Sequence, residues 1–199
     1  MRLVVFAKAP VIGGAKTRLA TGIGKVQAWR RHRAMTARIL RTVQDRRWET
    51  VLAAAPDRWA HRRFPGVWPD GPPRIAQGGG DLGGRQARAF QTRGPVCVIG
   101  TDAPDVTAAD IAEGFEALKR HDAVIGPAED GGYWLLGLTA PAPRGLFDGV
   151  RWSTSEARTD LEANLRAAGR ARIAHLRTLR DIDEAGDLRA QPPSSLRRA

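Results

Sequence analysis

Hydrophobic positions in this chain gather in short runs, separated by longer amphipathic stretches. Leu3–Ala7 is a compact apolar run closed by a Pro/Gly-rich segment, which predicts a buried strand. Lys25–Asp45 places Met35, Ile39, Leu40 and Val43 at helical spacing and predicts a helix with one apolar face. Strands are predicted at Thr50–Ala55 and Arg74–Ala76, with a Pro/Gly/Trp-rich loop from Phe64 to Pro73 between them. Asp81–Thr92 reads as a helix capped by Asp81, and Pro95–Gly100 as a strand with the unbroken apolar run Val96-Cys97-Val98-Ile99. Ala108–Arg120 presents Ile111, Phe115 and Leu118 on one face behind an N-cap at Thr107. Ala123–Gly126 and Tyr133–Leu138 predict strands around a Gly-rich turn. Thr154–Ala168 predicts a helix and Arg172–Leu176 a last strand.

Strands alternating with helices predict an α/β fold, a three-layer sandwich with a mainly parallel sheet. Residues 1–189 read as one domain, and the polar, Pro/Ser-rich residues 190–199 as a loose tail. In such sheets a ligand sits beyond the C-terminal ends of the strands, so the informative residues should follow strands directly.

Composition narrows the function classes. The chain has 199 residues, 42% of them hydrophobic and 27% charged, enough for a core and a solvated surface. No apolar run reaches the length of a membrane span, and the apolar start is interrupted by Lys8, so neither a membrane anchor nor a signal peptide is expected. The single cysteine, Cys97, cannot form an internal disulfide, and the chain is expected in the cytoplasm. The net charge of +11 raises a nucleic-acid reading. Residues 1–93 hold 19 Lys+Arg and five acids, whereas residues 94–199 hold 13 and 16, so the excess belongs to the first half. The run Arg30-Arg31-His32-Arg33 resembles a nucleic-acid patch but lacks interleaved aromatics, and the solvated face of a helix accounts for it better. Exposed Trp residues in the 59–68 region would suit a homodimer contact.

The candidate chemistry follows the strands. After the first strand, Lys8, Lys16 and Arg18 flank the pair Gly13-Gly14, and this basic loop suits a pyrophosphate as well as it suits a solvated turn. Gln77-Gly-Gly-Gly-Asp-Leu-Gly-Gly-Arg85 allows close backbone approach at Gly79, although a tight strand-to-helix connection explains it equally. Asp102, in Ile99-Gly-Thr-Asp-Ala-Pro-Asp105, ends the most hydrophobic strand, where a carboxylate suits Mg²⁺ shared with phosphate oxygens. Glu129 and Asp130 precede a Gly-Gly hairpin turn. Arg151-Trp-Ser-Thr154 offers Ser153 or Thr154 as a helix cap and Trp152 as core or pocket wall. Asp181 and Asp183 flank Ile182, so alternation puts both carboxylates on one side, where with Asp102 they can complete a divalent-metal site or simply form a polar loop.

In this order, the segments FAKAP…KTRL, QGGGDLG.R, GTDAP, GPAEDGGYWLLGL, WST and DID…DL resemble one family. It is the glycosyltransferase-A-like (GT-A) nucleotide-sugar transferases associated with radical-SAM and selenodomain proteins, some described as arsenosugar-biosynthesis glycosyltransferases. More distantly the chain is similar to guanylyltransferases acting on phospholactate or phosphoenolpyruvate. The resemblance spans Phe6 to about Leu188 and implies a Rossmann-like GT-A fold of about seven strands with Mg²⁺ or Mn²⁺. It implies that Lys8, Lys16 and Arg18, with Gly79 and Arg85, bind the nucleotide phosphates and that Asp102, Asp181 and Asp183 hold the metal. Asp130 would act as general base, and Tyr133, Trp152 and Ser153 would face the acceptor. Thr101-Asp102-Ala103-Pro104 departs from the Asp-x-Asp pattern of glycosyltransferases, and Gly84-Arg85-Gln86 stands where relatives have Glu-Arg-Met.

The expected activity is metal-dependent glycosyl transfer from a nucleoside-diphosphate sugar to a small-molecule acceptor. The alternative is nucleotidyl transfer, joining an NTP to a phosphorylated small molecule with release of pyrophosphate. Neither reading involves a nucleic acid or a membrane.

Overall fold

The computed structural model describes residues 1–139, 141–183 and 186–187. Its first strand, β1 (Arg2–Lys8), sends Leu3, Val5 and Ala7 to one side and Val4 and Phe6 to the other. That alternation buries both faces, as a central parallel strand requires. A short helix α1 (Thr17–Ile23) and the 18-residue α2 (Lys25–Thr42) lead to β2 (Glu49–Ala55) and β3 (Arg74–Ala76). Then come α3 (Leu82–Ala89), β4 (Val96–Ile99), α4 (Ala108–Ala117) and the hairpin β5 (Ala123–Pro127) and β6 (Tyr133–Leu138). Helix α5 (Ala157–Ala167) and strand β7 (Ile173–His175) follow.

The seven strands form one sheet in the order β3-β2-β1-β4-β6-β5-β7. β1 pairs in parallel with β2 and β4, β2 with β3, and β5 with β7, while β6 runs antiparallel between β4 and β5. Helices cover both faces. Ile39 and Leu40 of α2 and Ile111 and Phe115 of α4 pack on one side with Leu3, Val5 and Ile99. Leu161 and Leu165 of α5, with Phe90 after α3, pack on the other with Val4, Val98 and Leu136. The expected three-layer α/β sandwich with a mainly parallel sheet is the observed architecture.

Two helix starts follow their sequence signals. Asp81 Oδ1 accepts the Gly84 N–H at 2.8 Å, and Thr107 forms a reciprocal capping box with Asp110. Three expectations need correction. Helix α1 stands where a loop was expected, opening directly after Lys16 with no side-chain cap. The cap expected from Ser153 or Thr154 does not form, because α5 starts at Ala157 behind Glu156 and Ser153 has a left-handed φ of 61°. The Trp residues of the 59–68 region are not an exposed patch: Trp68 is buried against Phe64 at 4.6 Å between ring centroids, and Trp59 is half-buried. They therefore lend no support to a homodimer contact. The tail expected at 190–199 lies outside the described residues. No helix among the described residues is long and apolar enough to cross a membrane.

Candidate functional site

From β1 the chain turns toward β2 on one side, and from β4 it turns toward β5 on the other. Where strand order reverses in this way, the diverging loops open a crevice beyond the C-terminal strand ends. A cavity of about 560 Å³ occupies that crevice. Phe6 and Lys8 at the end of β1, and Thr101 and Asp102 after β4, line its floor. Gln77 and Arg85 line one wall, while Tyr133, Ser153, Asp181 and Asp183 line others.

Lys16 ties three of these segments together. Its Nζ lies 2.6 Å from Asp102 Oδ1 and 2.7 Å from Asp183 Oδ1, and it also donates to the Ile182 carbonyl. Burial pulls this ammonium toward its neutral form, but the two carboxylates outweigh burial and raise its pKa above the ordinary lysine value. The Ile182 N–H donates to the Asp102 carbonyl at 3.0 Å, a backbone link that fixes the 181–183 segment beside the end of β4.

Asp181 has no such partner. Its Oδ1 is buried without a hydrogen bond. Burial, joined by the neighbouring Asp102, Asp130 and Asp183 carboxylates, pushes its pKa up to about 7. An orphaned carboxylate oxygen amid three further acids fits a cation in addition to Lys16. Among the described residues, no three His, Cys, Asp or Glu side chains are arranged to hold a metal in this conformation, in which the Lys16 ammonium lies between Asp102 and Asp183.

Two further lining residues were not expected at the site, and one of them, His32, corrects the reading of Arg30–Arg33 as a solvated helix face. His32, 3% exposed, donates from Nε2 to the Lys8 carbonyl at 3.1 Å, and its Nδ1 is buried without a partner. Burial lowers its pKa, so the imidazole is neutral with Nδ1 as the bare acceptor. The Arg30–Arg33 run hides it, yet Ala28, His32, Met35, Thr36 and Ile39 share the inward stripe of α2, and that spacing marks His32 as internal. Gln86, 5% exposed, accepts from the Tyr133 hydroxyl at 3.0 Å and holds that ring in the wall. Burial raises the Tyr133 pKa above its ordinary value, so the hydroxyl keeps its proton.

Of the residues singled out from sequence, the structure brings together Lys8, Lys16, Arg85, Asp102, Tyr133, Ser153, Asp181 and Asp183 around the cavity. Others stand apart from its lining. Arg18 is exposed on α1. Gly79 is exposed, and its carbonyl accepts from Arg88. Trp152 packs against Phe147, with ring centroids 6.3 Å apart. Asp130 is exposed at the rim, where its Oδ1 accepts the Gly132 N–H at 2.9 Å.

The fold has solved counterparts. A protein from Desulfovibrio desulfuricans G20, assigned as a nucleotide-diphospho-sugar transferase, is 28% identical over 100% of this chain and 90% of its own, with a TM-score of 0.85. CMP:2-keto-3-deoxy-manno-octonic acid synthetase, solved with CTP, shares the fold at a TM-score of 0.58 and 12% identity, over 94% of each chain. Rv0371C of Mycobacterium tuberculosis H37Rv, solved with manganese, does so at 0.52 and 16% identity, over 94% of this chain and 96% of that one. No protein of curated function matches the chain significantly. The GT-A-like fold and the transferase class expected from the sequence agree with the Desulfovibrio protein. Residues 37–154, more than half the chain, match a family model, and the protein belongs to that family, described as "Uncharacterized protein conserved in bacteria (DUF2064)".

Proposed function

We propose that this protein transfers a glycosyl group from a nucleoside-diphosphate sugar to a small-molecule acceptor, with Mg²⁺ or Mn²⁺ held by Asp102, Asp181 and Asp183. One observation carries the reading. At the strand-order switch, a single cavity is lined by Lys8 and Arg85 and also by a carboxylate cluster that contains the orphaned, buried Asp181 Oδ1. Cations suit a diphosphate, and an unsatisfied carboxylate group suits the divalent ion that accompanies one. The likeness to the Desulfovibrio protein supports the choice of donor.

The metal, when bound, would neutralise charge developing on the leaving diphosphate. The chain's own residues supply the rest. Lys8 sits at the end of β1, its backbone carbonyl held by His32, and lines the cavity floor. Arg85 is steadied by its Nε bond to the Gly80 carbonyl at 3.0 Å and its Nη1 bond to Gln77 Oε1 at 3.5 Å, and it presents its remaining N–H groups to phosphate oxygens. Tyr133 and Ser153 form the acceptor wall. Asp130, held at the rim by the Gly132 N–H, takes the proton of the acceptor hydroxyl.

The test is the identity of the released product. Incubation with nucleoside-diphosphate sugars and small hydroxylated acceptors should release a nucleoside diphosphate only when Mg²⁺ or Mn²⁺ is present. Release of pyrophosphate from an NTP and a phosphorylated acceptor would replace this reading with nucleotidyl transfer.

A further inference from the structure

Lys16 spends its charge inside the site rather than on a ligand. The turn that carries it stands in the left-handed region, with φ 54° and ψ 45°, a conformation that non-glycine residues seldom adopt without a functional reason. Lys16 and Ser153 are the two non-glycine residues with positive φ among the described residues, and both line the same cavity. At Lys16 this backbone drives a side chain only 4% exposed into the carboxylate cluster. An ammonium has three N–H donors. Here they meet three acceptors: Asp102 Oδ1, Asp183 Oδ1 and the Ile182 carbonyl. In this arrangement no donor remains for a phosphate.

The oxygens that Lys16 holds are those claimed for the divalent ion. An ion arriving alone must displace the ammonium, and a buried ammonium stripped of its partners is strongly unfavourable. An ion arriving with a diphosphate brings replacement oxygens for the same ammonium, so the exchange becomes favourable. Asp102 and Asp183 stay neutralised throughout, first by lysine and then by metal.

We infer that Lys16 is a resident counter-cation of the carboxylate site, which keeps free divalent ions out of the empty protein and moves to the diphosphate when metal and nucleotide enter together. The inference rests on the reading of Asp102 and Asp183 as metal ligands. It makes metal binding and nucleotide binding positively coupled through one side chain, and that coupling is reciprocal.

The experiment measures Mn²⁺ binding to the full chain, by loss of the free-ion electron paramagnetic resonance signal, with and without inorganic pyrophosphate as a base-free diphosphate. Without pyrophosphate, Lys16→Gln should bind Mn²⁺ at least about tenfold more tightly than the unmodified chain, because no buried cation has to be displaced. Lys16→Arg should bind it as weakly as the unmodified chain. Adding Asp102→Asn to Lys16→Gln should abolish the gain. If the unmodified chain binds Mn²⁺ with pyrophosphate but Lys16→Gln shows no gain without it, the counter-cation role is overturned and the metal assignment stands. If no protein binds Mn²⁺ under either condition, the metal assignment itself falls, and the inference with it. Should Lys16→Gln fail to fold, the unmodified chain decides the matter through ¹⁵N-lysine ammonium resonances. Mg²⁺ alone should leave the Lys16 signal unmoved, and Mg²⁺ with pyrophosphate should shift it. A shift with Mg²⁺ alone overturns the inference.

Discussion

Arg177 closes on Asp110 in a paired contact, with Nη2 lying 2.8 Å from Oδ2 while Nε reaches Oδ1. The same carboxylate accepts the Thr107 N–H at 2.7 Å. One 5% exposed group thus caps α4 and anchors the strand exit that leads to Asp181 and Asp183. Burial alone would raise the Asp110 pKa, but the Arg177 and Thr107 donors outweigh it and hold the pKa below the ordinary carboxylate value. A depressed pKa contributes stability that is present above the unfolded value and lost as pH falls through the folded one. Asp110→Asn should therefore cost about 1–3 kcal/mol at neutral pH, with the deficit shrinking below about pH 4. Urea unfolding of both proteins at pH 7 and pH 3 measures both effects.

His32 gives the opposite chemistry at a milder pH. Burial depresses its pKa, so the folded chain keeps it neutral while the unfolded chain takes up a proton. Stability is full above the unfolded value and declines as pH falls below about 6.5. His32→Gln, which keeps a donor for the Lys8 carbonyl, should flatten that decline. Melting temperatures recorded from pH 8 to pH 5 should converge toward acid, and parallel curves would show that His32 is not the titrating group.

The two glycine segments of the site should respond differently to alanine. At Gly131, φ is +88° and an added Cβ would fall 2.2 Å from the Ser155 carbonyl oxygen. Gly131→Ala should therefore cost at least about 2 kcal/mol and displace the 153–156 turn. At Gly79 a Cβ meets nothing within 4 Å, and Gly79→Ala should leave the melting temperature nearly unchanged. Weakened nucleotide binding in that variant would identify Gly79 as a point of close ligand approach.

Asp102→Asn removes one of the two carboxylates on Lys16 but leaves Asp183 and the Ile182 carbonyl in place. The fold should survive with a modest loss of about 1–2 kcal/mol, while metal-dependent nucleotide binding disappears. Calorimetric titration with and without Mg²⁺ measures the second effect, and circular dichroism the first.

The legible part of this structure is the part written locally. The apolar run of β4, the caps at Asp81 and Thr107, and the hairpin turn at Gly131-Gly132 each rest on residues a few positions apart. Helix α1 escaped because seven residues with Leu19 alone buried carry no periodic signal. Trp68 reads as exposed in a Pro/Gly-rich loop because nothing nearby in sequence shows the core it joins. At the site, Lys8, Asp102, Asp181 and Asp183 were readable from residue type and place after a strand, whereas their pairing and the inward-facing His32 and Gln86 were not. Lys16 and Asp183 are 167 positions apart, and only the assembled fold shows that an expected phosphate ligand grips a carboxylate.

The reversed strand β6 has a consequence for how relatives can diverge. Its pairing sets Leu135 opposite Ile99 and Leu138 opposite Val96, so its first residue, Tyr133, emerges at the open end of the sheet. The rim beside Tyr133 is therefore a hairpin tip, whereas the floor is made by the exits of β1 and β4, each hydrogen-bonded on both sides. A tip can change length and composition without shifting the register of any parallel strand. Descendants of one ancestor can thus inherit the floor intact and exchange the tip, remodelling the cavity mouth on an unaltered foundation.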